Sequence, residues 1–101
     1  PTTRELDAAT VAASAFFVDR RESAVHESGE YLAALREGVI DGPDHVAAEI
    51  GEVLAGLHPG RTGTGQTTVY KARGLGVQDV AAAQLVVERA RTLGVGTTIG
   101  W

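Results

Sequence analysis

The segment from Val77 to Leu93, VQDVAAAQLVVERARTL, constrains the fold more than any other stretch. It has the length and spacing of a helix, yet it is apolar over most of its circumference until Glu88. A helix with one apolar stripe lies on a surface, whereas one that is apolar nearly all round is buried between other elements. The sequence therefore predicts a sandwiched helix. Gly94 and Gly96 end it, and TTIGW after them is a candidate short strand.

Upstream, strand-like and helix-like stretches alternate. DAATVAAS reads as a short helix with Asp7 as its N-cap, and AFFVD, Ala15 to Asp19, as a buried strand. In DRRESAVHESGEYLAALREG, Asp19 and Glu22 have capping-box spacing. Val25, Ser28, Leu32 and Leu35 repeat at helical intervals, and Gly38 can supply a left-handed terminus. A second helix is predicted from Pro43 to about Gly56–Gly60, with Val46, Ile50, Val53, Leu54 and Leu57 on one stripe. RTGTGQ is a polar connector, and TTVYK has the β-branched and aromatic content of a strand. Strands separated by helices predict an α/β fold with parallel neighbours. Two or three strands make a thin sheet for so apolar a last helix, so part of the core is expected from chain beyond these 101 residues.

The totals narrow the function classes. A length of 101 residues bounds the chain at one domain, and a net charge of −4 with scattered basic residues argues against nucleic acid as a partner. No apolar run approaches a bilayer span, and no membrane association is expected. The absence of cysteine removes a disulfide framework, a thiolate nucleophile and a Cys-based metal site. PTTRELDAATV lacks the layout of a signal peptide, and a cytoplasmic location is expected.

The motifs carry little chemistry by themselves. Gly74-Leu75-Gly76 joins a strand to a helix, the setting of a phosphate-binding turn. A dinucleotide fingerprint, however, requires Gly or Ala where Asp79 stands, and a carboxylate there repels pyrophosphate. The turn is better read as a plain strand-to-helix connection, with Asp79 favourably placed in the first helical turn. Gly63-Thr64-Gly65 is followed by no Gly-Lys-Ser/Thr, and His26, His45 and His58 have no paired ligand spacing. Glu49 and Glu52, like Glu22 and Glu27, fall on solvated helix faces. Lys71 has two readings: a surface lysine, or a ligand-facing group at the carboxyl edge of a parallel sheet, where open α/β folds bind their ligands.

Four stretches taken together, RELD, FFVDRRESAVHESGEYLAALREGVI, DHVAAEIGEVLAGLHPGRT and TTVYKARGLGVQDVAAAQLVVERARTLGVGT, resemble the ornithine cyclodeaminase/mu-crystallin family. Their order and spacing match the later part of that family's cofactor domain. The resemblance implies a partial Rossmann-type fold, the second half of a doubly wound parallel sheet with flanking helices, spanning residues 1–101. It implies NAD or NADP as cofactor and hydride exchange at the α-carbon of a small amino acid or cyclic imine. Family members include ornithine cyclodeaminases, which are lyases, and alanine dehydrogenases and imine reductases, which are oxidoreductases. Their chains are roughly three times this length, beyond a single small domain. The partners implied are the remainder of the same enzyme chain and a second subunit in a homodimer.

The resemblance also assigns site residues. The family's catalytic aspartate lies in an Asp-x-Pro-Gly-Lys-x-Glu-Leu motif that this chain enters at Pro1, so no catalytic residue is expected here and the isolated chain is expected to be inactive. The motif's glycine falls on Thr2 and its cofactor-holding lysine on Thr3, with Arg4 a candidate substitute. Where the family commonly reads Lys-Ser-Val-Gly, this chain has Lys71-Ala72-Arg73-Gly74. The family's serine contacts the cofactor near its nicotinamide, and Ala72 lacks that hydroxyl. Thr3, Lys71, Ala72 and Gly74 are therefore the expected cofactor-binding positions, forming one wall of the nicotinamide pocket. The alternative reading is a free-standing α/β interaction module that has lost catalysis and pairs its apolar last helix with a partner.

Overall fold

A computed structural model describes residues 3–100 of the chain. The elements run α1 (Ala8–Ala12), β1 (Ala15–Val18), α2 (Arg21–Glu27), α3 (Gly29–Arg36), β2 (Val46–Glu49), α4 (Ile50–Leu54), β3 (Thr68–Lys71) and α5 (Gly76–Leu93). A 3-10 turn, Pro43–His45, precedes β2. The three strands form a parallel sheet in the order β2-β1-β3. Strand β1, central in the sheet, is apolar at all four positions, as a strand covered on both faces must be.

Alternation along the strands sets the two faces. Phe16, Val18 and Val46 pack with Val11, Ala24, Tyr31 and Ala34, so α1, α2 and α3 cover one face and enclose the core. Val69 packs against the same cluster. Phe17 and Tyr70 point the other way, toward Ile50 and Val53 of α4 across a shallow cleft of about 260 Å³. Helices thus flank both faces of the sheet, as the α/β expectation required.

The expected starts and ends hold at α1 and at the left-handed glycines. The Asp7 side chain accepts the Thr10 N–H at 2.7 Å, and Gly38 and Gly94 have φ of 70° and 65°. Three expectations are corrected. The single helix from Asp19 to Gly38 is two helices: Ser28 is extended, ends α2 by donating its N–H to Ala24, and caps α3 by accepting the Tyr31 N–H. The helix expected from Pro43 is instead a 3-10 turn, strand β2 and the short α4. Its Val46 and Ala48 are 2% and 1% exposed and pair with Phe16 and Phe17, so sheet hydrogen bonds and burial override the helical stripe. Glu49 and Glu52 form the capping box that turns this strand into α4.

The third correction concerns α5. None of its residues is buried, and Val77, Val80, Leu85, Val86, Val87 and Leu93 are exposed. The radius of gyration of 17.5 Å and the longest extent of 55 Å reflect this projecting helix, since a compact domain of this length has a radius of about 13 Å. The elements of this chain do not sandwich it. Residues 97–100 form no strand, and Trp101 lies outside the described residues.

Candidate functional site at the carboxyl edge of the sheet

The carboxyl ends of three parallel strands converge on residues 19, 49 and 71, and two buried carboxylates organise the loops beyond this edge. The first is Asp19, immediately after β1 and 5% exposed. One of its oxygens accepts the Arg20 N–H at 2.8 Å; the other accepts the N–H groups of Arg73 and Gly74 at 2.7 and 2.8 Å. Sequence spacing predicts a helix cap for Asp19; the side chain instead reaches across to the turn after β3. There Gly74 has φ of 90°, a left-handed conformation that favours glycine. The Arg73 guanidinium donates to the Glu27 carbonyl and carboxylate at 2.9 and 3.1 Å, tying the same turn to the end of α2.

The second carboxylate is Glu30, in the first turn of α3 and 1% exposed. Oε1 accepts the Glu5 N–H at 2.7 Å and the Lys71 ammonium at 3.1 Å, and Oε2 accepts the Ser28 hydroxyl at 3.0 Å. Lys71 also donates to Glu5 at 2.7 Å. Burial pushes the Glu30 carboxyl up, but the Glu5 and Glu30 N–H groups, Lys71 and Ser28 together favour the anion more strongly and bring it down to about 2. The Lys71 ammonium is raised above its ordinary value, chiefly by its hydrogen bond to Glu5 and against the opposing cost of burial. Gly29 makes this convergence possible, because a Cβ there would collide with the Thr3 carbonyl.

Of the expected site positions, Thr3 and Lys71 line one cleft of about 340 Å³ with Glu30 and Arg73. Ala72 is exposed just beyond β3, and Gly74 is exposed with its N–H committed to Asp19. A larger open cleft of about 720 Å³ lies along the same edge between Asp19, Arg21, Glu49 and Leu75. There Arg21 is held by the Val46 carbonyl at 2.5 Å and, through its backbone N–H, by Glu49 at 2.7 Å. Neither Asp19 nor Glu30 stands out as a site residue in the sequence. The available signal for Asp19 is its place at the carboxyl end of a buried strand.

The histidines take structural roles: His45 Nε2 meets the Val11 carbonyl at 2.8 Å, and His58 Nδ1 accepts the Gly60 N–H at 3.0 Å. Among the described residues, no three His, Asp or Glu side chains converge as metal ligands, and no helix is long and apolar enough to cross a membrane.

A parallel sheet flanked by helices on both faces, with its irregular loops gathered at the carboxyl edge, defines part of a Rossmann-type α/β domain. The chain belongs to the ornithine cyclodeaminase/mu-crystallin family, whose family model matches residues 1–94. It is 41% identical over 99 residues to an alanine dehydrogenase of Archaeoglobus fulgidus, covering 98% of this chain and 30% of that protein. Two solved structures, each 40% identical, resemble it closely. The Δ1-pyrroline-2-carboxylate reductase of Thermococcus litoralis in complex with NADH and L-proline superposes with a TM-score of 0.79, over 96% of this chain and 30% of that one. An archaeal alanine dehydrogenase dimer with bound NAD gives 0.74, over 100% and 31%. The chain thus spans under a third of the length of these relatives.

Proposed function

We propose that these residues are the C-terminal half of the cofactor domain of a cytoplasmic NAD(P)-dependent oxidoreductase. The substrate class is a small α-amino acid or the corresponding cyclic imine, and the whole enzyme is a homodimer. The observation that carries this reading is the joining of Lys71–Gly74 to the carboxyl edge of the sheet through Asp19 and Glu30, in a chain whose relatives are amino-acid and imine oxidoreductases.

The donor set fits the nicotinamide end of a cofactor better than its pyrophosphate. Lys71 is engaged by two carboxylates, Asp19 backs the turn, and Ala72 and Gly74 offer small residues on an open edge where a Cβ on Gly74 would meet nothing within 4 Å. Ala72 and Gly74 would lie against the ring, with Thr3 and Lys71 at the flank. The cofactor accepts or returns hydride at the α-carbon; this chain's part is to shape the wall and keep its own charges paired. Titration of the isolated chain with NADH is expected to give no saturable binding, and micromolar binding would refute the assignment of the other contacts to the rest of the enzyme.

A free-standing interaction module is the rival, favoured by the uncovered α5. Intact mass of the native protein separates the two: a product near 10.5 kDa sinks the enzyme reading. A product near three times that mass, oxidising NADH in the presence of a cyclic imino acid, removes the rival.

A further inference from the structure

Lys71, Ala72, Arg73 and Gly74 form a short span fixed at both ends by buried acids on different elements. Glu30, at the start of α3, holds Lys71 at one end; Asp19, at the end of β1, holds the Arg73 and Gly74 N–H groups at the other. The two acids are 1% and 5% exposed, and their oxygens are engaged in these hydrogen bonds. Between them Ala72 is exposed and uses no side-chain polar group. Glu30 also holds the Glu5 N–H and so fixes the segment bearing Thr3 against the same span.

We propose that Asp19 and Glu30 are positioning residues for the nicotinamide end of the cofactor, acting through the backbone of Lys71–Gly74 rather than by touching the cofactor. The inference rests on the reading that this span lies beside the nicotinamide. It adds that the contact is made by a backbone held from two sides, so that loss of either anchor displaces the nicotinamide while leaving the adenosine and pyrophosphate contacts intact. Among the described residues, the two carboxylates hydrogen-bond only to Glu5, Arg20, Ser28, Lys71, Arg73 and Gly74.

The test compares two ligands on the native full-length enzyme: NADH, and ADP-ribose, which lacks the nicotinamide. Glu30→Gln and Asp19→Asn preserve side-chain size and remove the charge. Each is expected to weaken NADH by about tenfold or more while changing ADP-ribose by less than about twofold. Equal weakening of both ligands, or of neither, overturns the inference; if Glu30→Gln unfolds and loses both, Asp19→Asn decides alone. A wild-type enzyme that binds ADP-ribose and NADH equally well also overturns it, because the nicotinamide then gains nothing from this edge. A wild-type enzyme that binds neither ligand instead refutes the cofactor reading itself, and the inference falls with it.

Discussion

Replacing Glu30 with glutamine removes one charge and weakens the anchor while keeping the side chain's size. The amide oxygen can still accept from Glu5 and Lys71, but the amide nitrogen cannot accept the Ser28 hydroxyl proton, so the substitution removes the anion and one acceptor of the Glu30 cluster. In the wild type the carboxyl stands at about 2 against an ordinary 4.5. At about 1.4 kcal/mol per pH unit, that difference corresponds to about 3 kcal/mol in favour of the folded state when Glu30 is ionised. The sign follows from a lowered folded-state value: the contribution is fully present above pH 4.5 and is lost as the pH falls through about 2. Lys71 is raised chiefly by Glu5, and its pair with Glu30 is already contained in the Glu30 value.

Urea unfolding of wild type and Glu30→Gln, followed by circular dichroism at several pH values, is the measurement. At pH 6 the variant should be less stable by up to about 3 kcal/mol, and the gap should narrow steadily from about pH 4.5 to 2 as the wild type takes up its proton. Asp7, whose value is lowered chiefly by the Thr10 N–H, is common to both proteins and cancels in the difference. A gap that stays constant across this window would show that the substitution acts through packing or geometry, and the electrostatic reasoning would fail.

The other substitutions probe packing and exposure by the same unfolding measurement. Phe16→Ala empties the centre of the core beneath α2 and α3 and should cost about 3–5 kcal/mol. Gly29→Ala drives a Cβ into the Thr3 carbonyl and should cost about 1–3 kcal/mol, with faster amide exchange at Glu5 as its distinguishing sign. Leu85→Asp, at a side chain 56% exposed on α5, should change the stability of this chain by less than about 0.5 kcal/mol; a larger loss would mean that α5 is packed. Ala72→Ser restores a hydroxyl at an exposed position and should be equally neutral for folding.

How much of the structure is legible in the sequence depends on the range of the interactions involved. AFFV and TVYK announce strands because β-branched and aromatic residues are concentrated in them, and Asp7, Gly38 and Gly94 mark ends through their own backbone and side-chain chemistry. VAAE is hidden because two alanines between Val46 and Glu49 suit a helix, and only pairing with β1 makes them a strand. Ser28 sits at a helical interval yet interrupts the helix, since its hydroxyl binds α3's own backbone and Glu30. The Lys71 pairs join residues 66 and 41 positions apart, and Asp19 reaches 54 and 55 positions to the turn; no local pattern encodes such contacts.

The change at Ala72 bears on the strand-to-helix turn as a whole. A hydroxyl there would supply one donor or acceptor, but the course of the backbone does not depend on it: Lys71 is fixed by Glu5 and Glu30, and Arg73 and Gly74 by Asp19. The φ of 90° at Gly74 then turns the chain into α5. A serine at residue 72 would therefore add one polar group without altering the scaffold that presents the backbone. In this chain the turn geometry is carried by the acids around residue 72 and not by its side chain.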